Sequence, residues 1–462
     1  MTDVFPLKDV LSIAKIHPFY AAEVPFPPDA GTIQSILAST ACMPAPELWH
    51  FPLLTRKSLY KTIKRLTEDT SPENSYRQSS YLSITGGGSG GQPMLFATDA
   101  RENRVQRARM GAFLKTCGVV GSGDWVLTTH VAGGFYRSLD LTTEILENAG
   151  ASVLSAGHHM TPDGVTSALA HFHVNVLSGD GSQVLRVVHH ISTLPASQRE
   201  QIKLDKIFYT SEPLSPAQRA YITAILGNSV KIDSIMGSCE AGPWAVANPT
   251  LTGEQEPGTM DFVFDTRTML IEVLAPSALD GDAVRGGEPV PDGAPGIIVQ
   301  TSLQRLKNPL VRYVSGDIGS LHPLQGAAAA VIPRDELEHL RILRLHGRDA
   351  RFSFKWFGGY FEFDNIVPLM QSEEWGILQW QVVLGSLESS PQTTLEVRIF
   401  RPSVGGSDGT ASETALVVAL EAFFFVDAES CHLFRVAFLE DLTGFERSST
   451  GGKIMKFVDK SH

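Results

Sequence analysis

The sequence predicts an α/β protein with a large N-terminal part built on parallel α/β sheets, a β-rich subdomain within it, and a small α/β C-terminal module. Three observations carry this reading. Between residues 125 and 236, short apolar runs alternate with helix-like stretches at the spacing of strand–helix–strand units. Past residue 259 the texture turns β-rich, broken by a turn-dense segment at 280–295. At Gly347-Arg348-Asp349-Ala350-Arg351, after a hydrophilic and helix-like segment, a hinge sets off residues 348–462.

In chain order, the first 80 residues read as helical and loop-rich, punctuated by Pro25-Phe26-Pro27-Pro28 and Pro44/Pro46. The charge-rich segment Lys61–Arg65 reads as a solvated helix face. Residues 80–84 alternate as a strand does and run directly into Gly86–Gly91. A helix is predicted over 99–116, capped by Asp99, with Val105, Ala108 and Ala112 on one face. Strands follow at 125–128, 152–154, 174–178, 206–210 and 230–236, and helices at 141–149, 165–172 and 216–226. Further strands are expected at 261–264, 269–273 and 296–301, and in the last module at 394–401 and 414–421 around a surface turn.

Composition narrows the function classes. The chain has 462 residues, of which 43% are apolar and 19% charged, enough for a sizeable core. Lys and Arg number 38 against 50 Asp and Glu, a formal charge of −12. That excess of acid, with no basic run, argues against nucleic-acid and membrane partners. Cys42, Cys117, Cys239 and Cys431 are scattered, so a disulfide framework is not expected and a reducing compartment is the default. The N-terminus lacks a secretory pattern, and no window approaches 18 uncharged apolar residues, so a cytoplasmic protein is expected.

Five segments could carry chemistry. Thr85-Gly86-Gly87-Gly88-Ser89-Gly90-Gly91 follows a strand, and its N–H groups could wrap phosphate oxygens, although it lacks the Lys-Ser/Thr of a Walker loop. Asp317, in Tyr313-Val314-Ser315-Gly316-Asp317, could offer two oxygens to a ribose diol. Met236-Gly237-Ser238-Cys239-Glu240 opens from a strand end, where small residues admit a flat ligand and Glu240 could hold a cation. Gly347-Arg348 and Gly451-Gly452-Lys453 complete the set. Each alone has a plainer reading as a turn, a cap or a solvated charge. The same holds for the pairs His158-His159, His171/His173 and His189-His190, which lack converging acidic or thiol partners. Cys239 reads as a small buried residue rather than a reactive thiol.

Taken together, in this order and spacing, the five segments resemble the adenylate-forming (acyl-activating) superfamily, and within it phenylacetate–CoA ligases. Pro18-Phe19-Tyr20, residues 51–57, Gly123-Asp124 with Gly150–Val153, and Ser211-Glu212-Pro213-Leu214-Ser215 resemble further segments of that branch, so the likeness covers nearly the whole chain. It implies the adenylate-forming fold, with an AMP- and acyl-binding domain over 1–346 and a mobile domain over 347–462. It also implies ATP-dependent conversion of a compact or aromatic carboxylic acid to an acyl adenylate, then transfer to CoA. Amine, hydroxyl or carrier-protein acceptors, and an inactive nucleotide-binding relative, remain as alternatives.

By the same resemblance Lys453 is the catalytic cation, and Thr85, Gly86, Gly87, Gly88, Ser89, Gly90 and Gly91 hold the outer phosphates. Ser211, Glu212, Pro213, Met236, Gly237, Ser238 and Cys239 surround the nucleotide, Asp317 takes the ribose, and Arg348 assists. Glu240 lies by Mg²⁺. Phe135, Tyr136, Gly237 and Ser238 line the acyl pocket, and the segment around Gly358-Gly359 meets the incoming thiol. Met236 and Cys239 stand where the family usually has an aromatic residue and a threonine. Ala350 follows Asp349, against the usual hinge order. No zinc is expected, and the resemblance leaves a homodimer open.

Overall fold

A computed structural model of the chain describes residues 4–40, 46–84, 94–211, 214, 216–253, 259–279, 287–324, 326–349, 353–387, 390, 392–401, 411–440, 443–446 and 454–461. It resolves into two units, one of Met1–Thr85 with Met94–Gly347 and the other of Arg348–His462.

In the first unit, β1 (Ser80–Ile84) and β2 (Leu95–Asp99) form an antiparallel ribbon. The centre is an 11-stranded sheet. Its parallel part comprises β3 (Trp125–Thr128), β4 (Ser152–Ser155), β5 (Val176–Asp180), β6 (Lys206–Thr210) and β7 (Lys231–Ser238). The β-rich stretch continues the same sheet with β8 (Gly242–Ala247), β9 (Met260–Asp265), β10 (Met269–Leu274), β11 (Gly296–Ser302), β12 (Tyr313–Pro323) and β13 (Leu340–Arg348). The order is β10-β11-β12-β13-β9-β8-β7-β6-β5-β3-β4.

Both faces of this sheet are covered, and the side-chain period of two sorts residues between two cores. Leu127, Leu177, Ile207, Tyr209 and Leu343 enter one core, while Val126, Val176, Phe208 and Ile342 enter the other. Helix Ala100–Thr116 starts at Asp99, whose carboxylate accepts from the N–H groups of Arg101 and Glu102. Helix Arg56–Glu68 is capped by Thr55 and buries Leu59, Ile63 and Leu66, leaving Lys61, Lys64 and Arg65 in solvent.

Two sequence expectations are corrected. The segment before Gly347 is helical only over Arg334–Leu337, and Leu340–Arg348 is a strand, in which Arg344 sits directly opposite Asp261 in the β9–β13 ladder. Its guanidinium donates to both carboxylate oxygens at 2.8 and 3.0 Å, so the polar character is a cross-strand ion pair. Residues 414–421 are not a strand but the core of helix Glu413–Phe423. The Ser412 hydroxyl caps the Ala415 N–H, and Leu416 and Leu420, four residues apart, are its buried residues. The sequence reading also missed helix Gly181–Thr193 and strand β8.

The second unit has its own core of Phe354, Trp356, Phe361, Trp380, Leu420 and Phe424. A hairpin of β14 (Ser353–Trp356) and β15 (Gly359–Glu362) turns at Phe357 and Gly358, both at positive φ (43° and 80°). Four strands, β16 (Gln379–Ser386), β17 (Thr393–Phe400), β18 (Phe434–Leu439) and β19 (Phe457–Asp459), pair in the order β18-β17-β16-β19.

Candidate functional site

Ligands of open α/β sheets gather at the carboxyl ends of the parallel strands, and here those ends carry a connected set of polar side chains. His130, just past β3, is buried between the hydroxyls of Thr128 (2.9 Å from Nδ1) and Thr210 (3.0 Å from Nε2). Burial pushes its imidazole down to about 4, so it is neutral at neutral pH. Thr210 and Ser211, at the end of β6, both donate to Oδ1 of Asp180, at 3.3 and 2.8 Å. Ser211 has φ 72°, which turns the chain sharply out of the strand. Asp180 itself forms a reciprocal cap with Gln183 at the start of helix Gly181–Thr193.

The β7–β8 connection is tight. The pairing register shifts between Met236 and Gly237, and a Cβ on Gly237 would lie 2.9 Å from the Gly242 carbonyl oxygen and from Pro243 Cα. The Ala241 N–H donates to Ser238 Oγ at 3.0 Å. The Cys239 thiol donates to the Ile84 carbonyl at 2.7 Å, and burial pushes it up to about 12, so it stays protonated. Glu240 is 5% exposed. Its Oε1 accepts from the hydroxyls of Tyr60 (2.8 Å) and Tyr313 (3.1 Å), while Arg305 donates to its main-chain carbonyl.

Asp317 sits in a break of the β11–β12 ladder. Ile297 pairs with Ile318 and Val299 with Val314, so Ser315, Gly316 and Asp317 together oppose Ile298. Gly316 has φ 81°, and the Asp317 N–H donates to Ser315 Oγ at 3.1 Å. Tyr313, four residues earlier on the same strand, therefore ties this segment to Glu240. Tyr136 has its hydroxyl pushed up by burial and by the neighbouring Cys239 and Asp180. Phe135, at φ 69°, is 77% exposed. Arg348 is the last residue of β13. Thr85–Gly91, Glu212, Pro213, Lys453 and the Arg348 side chain lie outside the described residues. Among the described residues no three His, Cys, Asp or Glu side chains cluster as metal ligands.

No protein-family model matches this sequence, and no curated protein matches it. Solved structures do. A 2-hydroxyisobutyryl-CoA ligase in complex with 2-HIB-AMP and CoA, in the thioesterification state, has a TM-score of 0.62 at 16% identity, covering 98% of this chain and 88% of that one. An open conformation of the same ligase gives 0.53 at 15% identity, covering 98% and 90%. The amide bond synthetase McbA from Marinactinospora thermotolerans gives 0.50 at 15% identity, covering 84% and 72%. The fold is that of the adenylate-forming enzymes.

Within this adenylate-forming fold, the sequence reading named Ser211, Met236–Glu240 and Asp317 but missed His130, Asp180 and Tyr60. A positional signal was available for two of them. His130 lies two residues past the end of the apolar strand β3, and Asp180 is the last residue of β5, where open sheets place ligand groups. For Tyr60 there was none. Among the described residues no helix is long and apolar enough to cross a membrane.

Proposed function

We propose that the chain couples ATP to a carboxylic acid, forming an acyl adenylate, and then passes the acyl group to the thiol of CoA. The observation that most supports this is the link through Tyr313 between a buried carboxylate, Glu240, and the bulged Ser315–Asp317 segment, in a chain with the adenylate-forming fold.

In the first half-reaction a carboxylate oxygen attacks the α-phosphorus, an O–P bond forms and pyrophosphate leaves with the electrons of the broken bond. Both reactants are anionic, so a positive group between them lowers the barrier. We assign that role to Lys453, and we assign the swing that delivers it to residues 347–462. The Thr85–Gly91 loop would enclose the outer phosphates. Asp317 would accept from both ribose hydroxyls, with Arg348 beside it, and Ser211, Glu212, Pro213, Met236 and Cys239 would border the nucleotide. Glu240 would supply a carboxylate oxygen to Mg²⁺, which when bound offsets phosphate charge. Tyr136, Phe135 and the narrow Gly237-Ser238 strand end would face a compact or aromatic acid. In the second half-reaction the thiol sulfur bonds to the acyl carbon, AMP departs and the thiol proton goes to solvent.

A second reading, with an amine as acceptor, is favoured by the likeness to the amide bond synthetase. The test is product analysis with ATP and a panel of acids, offering CoA, amines and a carrier protein in turn. A CoA thioester formed with stoichiometric AMP is the expected result. Amide formation with no thioester would overturn the CoA assignment.

A further inference from the structure

The geometry points to Tyr60 and Tyr313 as positioning residues that clamp the Glu240 carboxylate in readiness for the cation; this rests on the nucleotide-activation reading above. The three side chains come from distant parts of the sequence. Tyr60 lies on helix Arg56–Glu68, 180 positions from Glu240, and Tyr313 opens β12, 73 positions away. Both hydroxyls reach the same oxygen, Oε1, at 2.8 and 3.1 Å.

The choice of phenols is informative. At two other acids of this unit a guanidinium takes both oxygens: Arg312 engages both oxygens of Glu272, and Arg344 both oxygens of Asp261. Such pairs fix a carboxylate and cancel its charge. At Glu240 the nearby Arg305 donates to the main-chain carbonyl and the Arg56 guanidinium lies 4.9 Å from the centroid of the Tyr60 ring, so positive charge stands close by while Oε1 itself accepts from the two phenols. Phenols satisfy a buried carboxylate and restrict its rotation while adding no formal positive charge. A negative charge kept in place, oriented at one oxygen, suits a group that must share a cation with phosphates. Tyr313 also begins the strand that carries Asp317, so one rigid element sets both acidic groups.

Calorimetric titration of ATP, in Mg²⁺ and separately in EDTA, tests this without turnover. In wild type, Mg²⁺ should tighten ATP binding. Tyr60→Phe/Tyr313→Phe should keep its EDTA affinity within about twofold while the metal-dependent gain falls about tenfold, as expected for losing hydrogen bonds to a charged group. Tyr60→Phe alone should lie between, and Glu240→Gln should lose the gain. If circular dichroism shows the double variant unfolded, Tyr60→Phe decides by the same comparison. An undiminished gain in the variants would overturn the inference, as would affinities falling equally with and without metal. Wild type that binds ATP but gains nothing from Mg²⁺ would sink the clamp alone. Wild type that binds no ATP would sink the activation reading with it.

Discussion

Asp317 is the residue whose role is most sharply separable from its neighbours. The bulge lifts it out of the ladder, and its N–H is held by Ser315. Under the proposed ribose assignment Asp317→Ala removes a charged acceptor, so ATP affinity should fall by about tenfold or more. Fluorescence or calorimetric titration would check this, and wild-type affinity would contradict the ribose assignment. The irregular backbone at Ser315–Asp317 was legible in the sequence because Ser-Gly-Asp after an apolar run carries its own turn chemistry, whereas the ribose role of Asp317 came only from the family resemblance. Tyr60 was not legible: its partner lies 180 positions away, and nothing local to a helical tyrosine announces a buried carboxylate.

At the scale of elements, strands β3, β5 and β6 were readable because burial writes the centre of each as a short apolar run. Strand β13 and helix Glu413–Phe423 were misread for opposite reasons. In β13, charge consumed by a cross-strand pair looked like solvent exposure; in the helix, Val417-Val418 looked like a strand, although Leu416 and Leu420 set the buried stripe. Leu420 is fully buried, so Leu420→Ala should destabilise the second unit by about 2–5 kcal/mol in denaturant titration of that unit's tryptophan signal. The β7–β8 turn gives a functional counterpart. Gly237→Ala places a methyl 2.9 Å from main-chain atoms of Gly242 and Pro243, so the strand end must shift. Nucleotide affinity should drop several-fold, and an unchanged value would remove this strand end from the site.

At the scale of the whole molecule, four buried groups set opposing responses to acid. Burial pushes His17 down to about 3 and His130 to about 4, and pushes Glu102 and Asp233 up to about 7. As pH falls from 6.5 to about 4.5, the unfolded chain takes up protons on the histidines that the native state refuses, and stability is lost. Over the same window the native state holds protons on Glu102 and Asp233 that the unfolded chain does not, and stability is gained. Wild type should therefore show a nearly flat stability profile there. His130→Gln should make stability rise toward acid by about 1.4 kcal/mol per pH unit, and Glu102→Gln should make it fall as steeply. Chemical denaturation across the window measures both slopes, and a steep wild-type profile would contradict the opposition.

Isotope exchange between pyrophosphate and ATP reads the first chemical step alone, whatever the acceptor. Wild type should exchange only when Mg²⁺ and a suitable carboxylic acid are present, and Lys453→Ala should bind ATP normally yet exchange at background. Undiminished exchange in Lys453→Ala, or ATP binding by wild type with no exchange across a broad acid panel, would contradict the account.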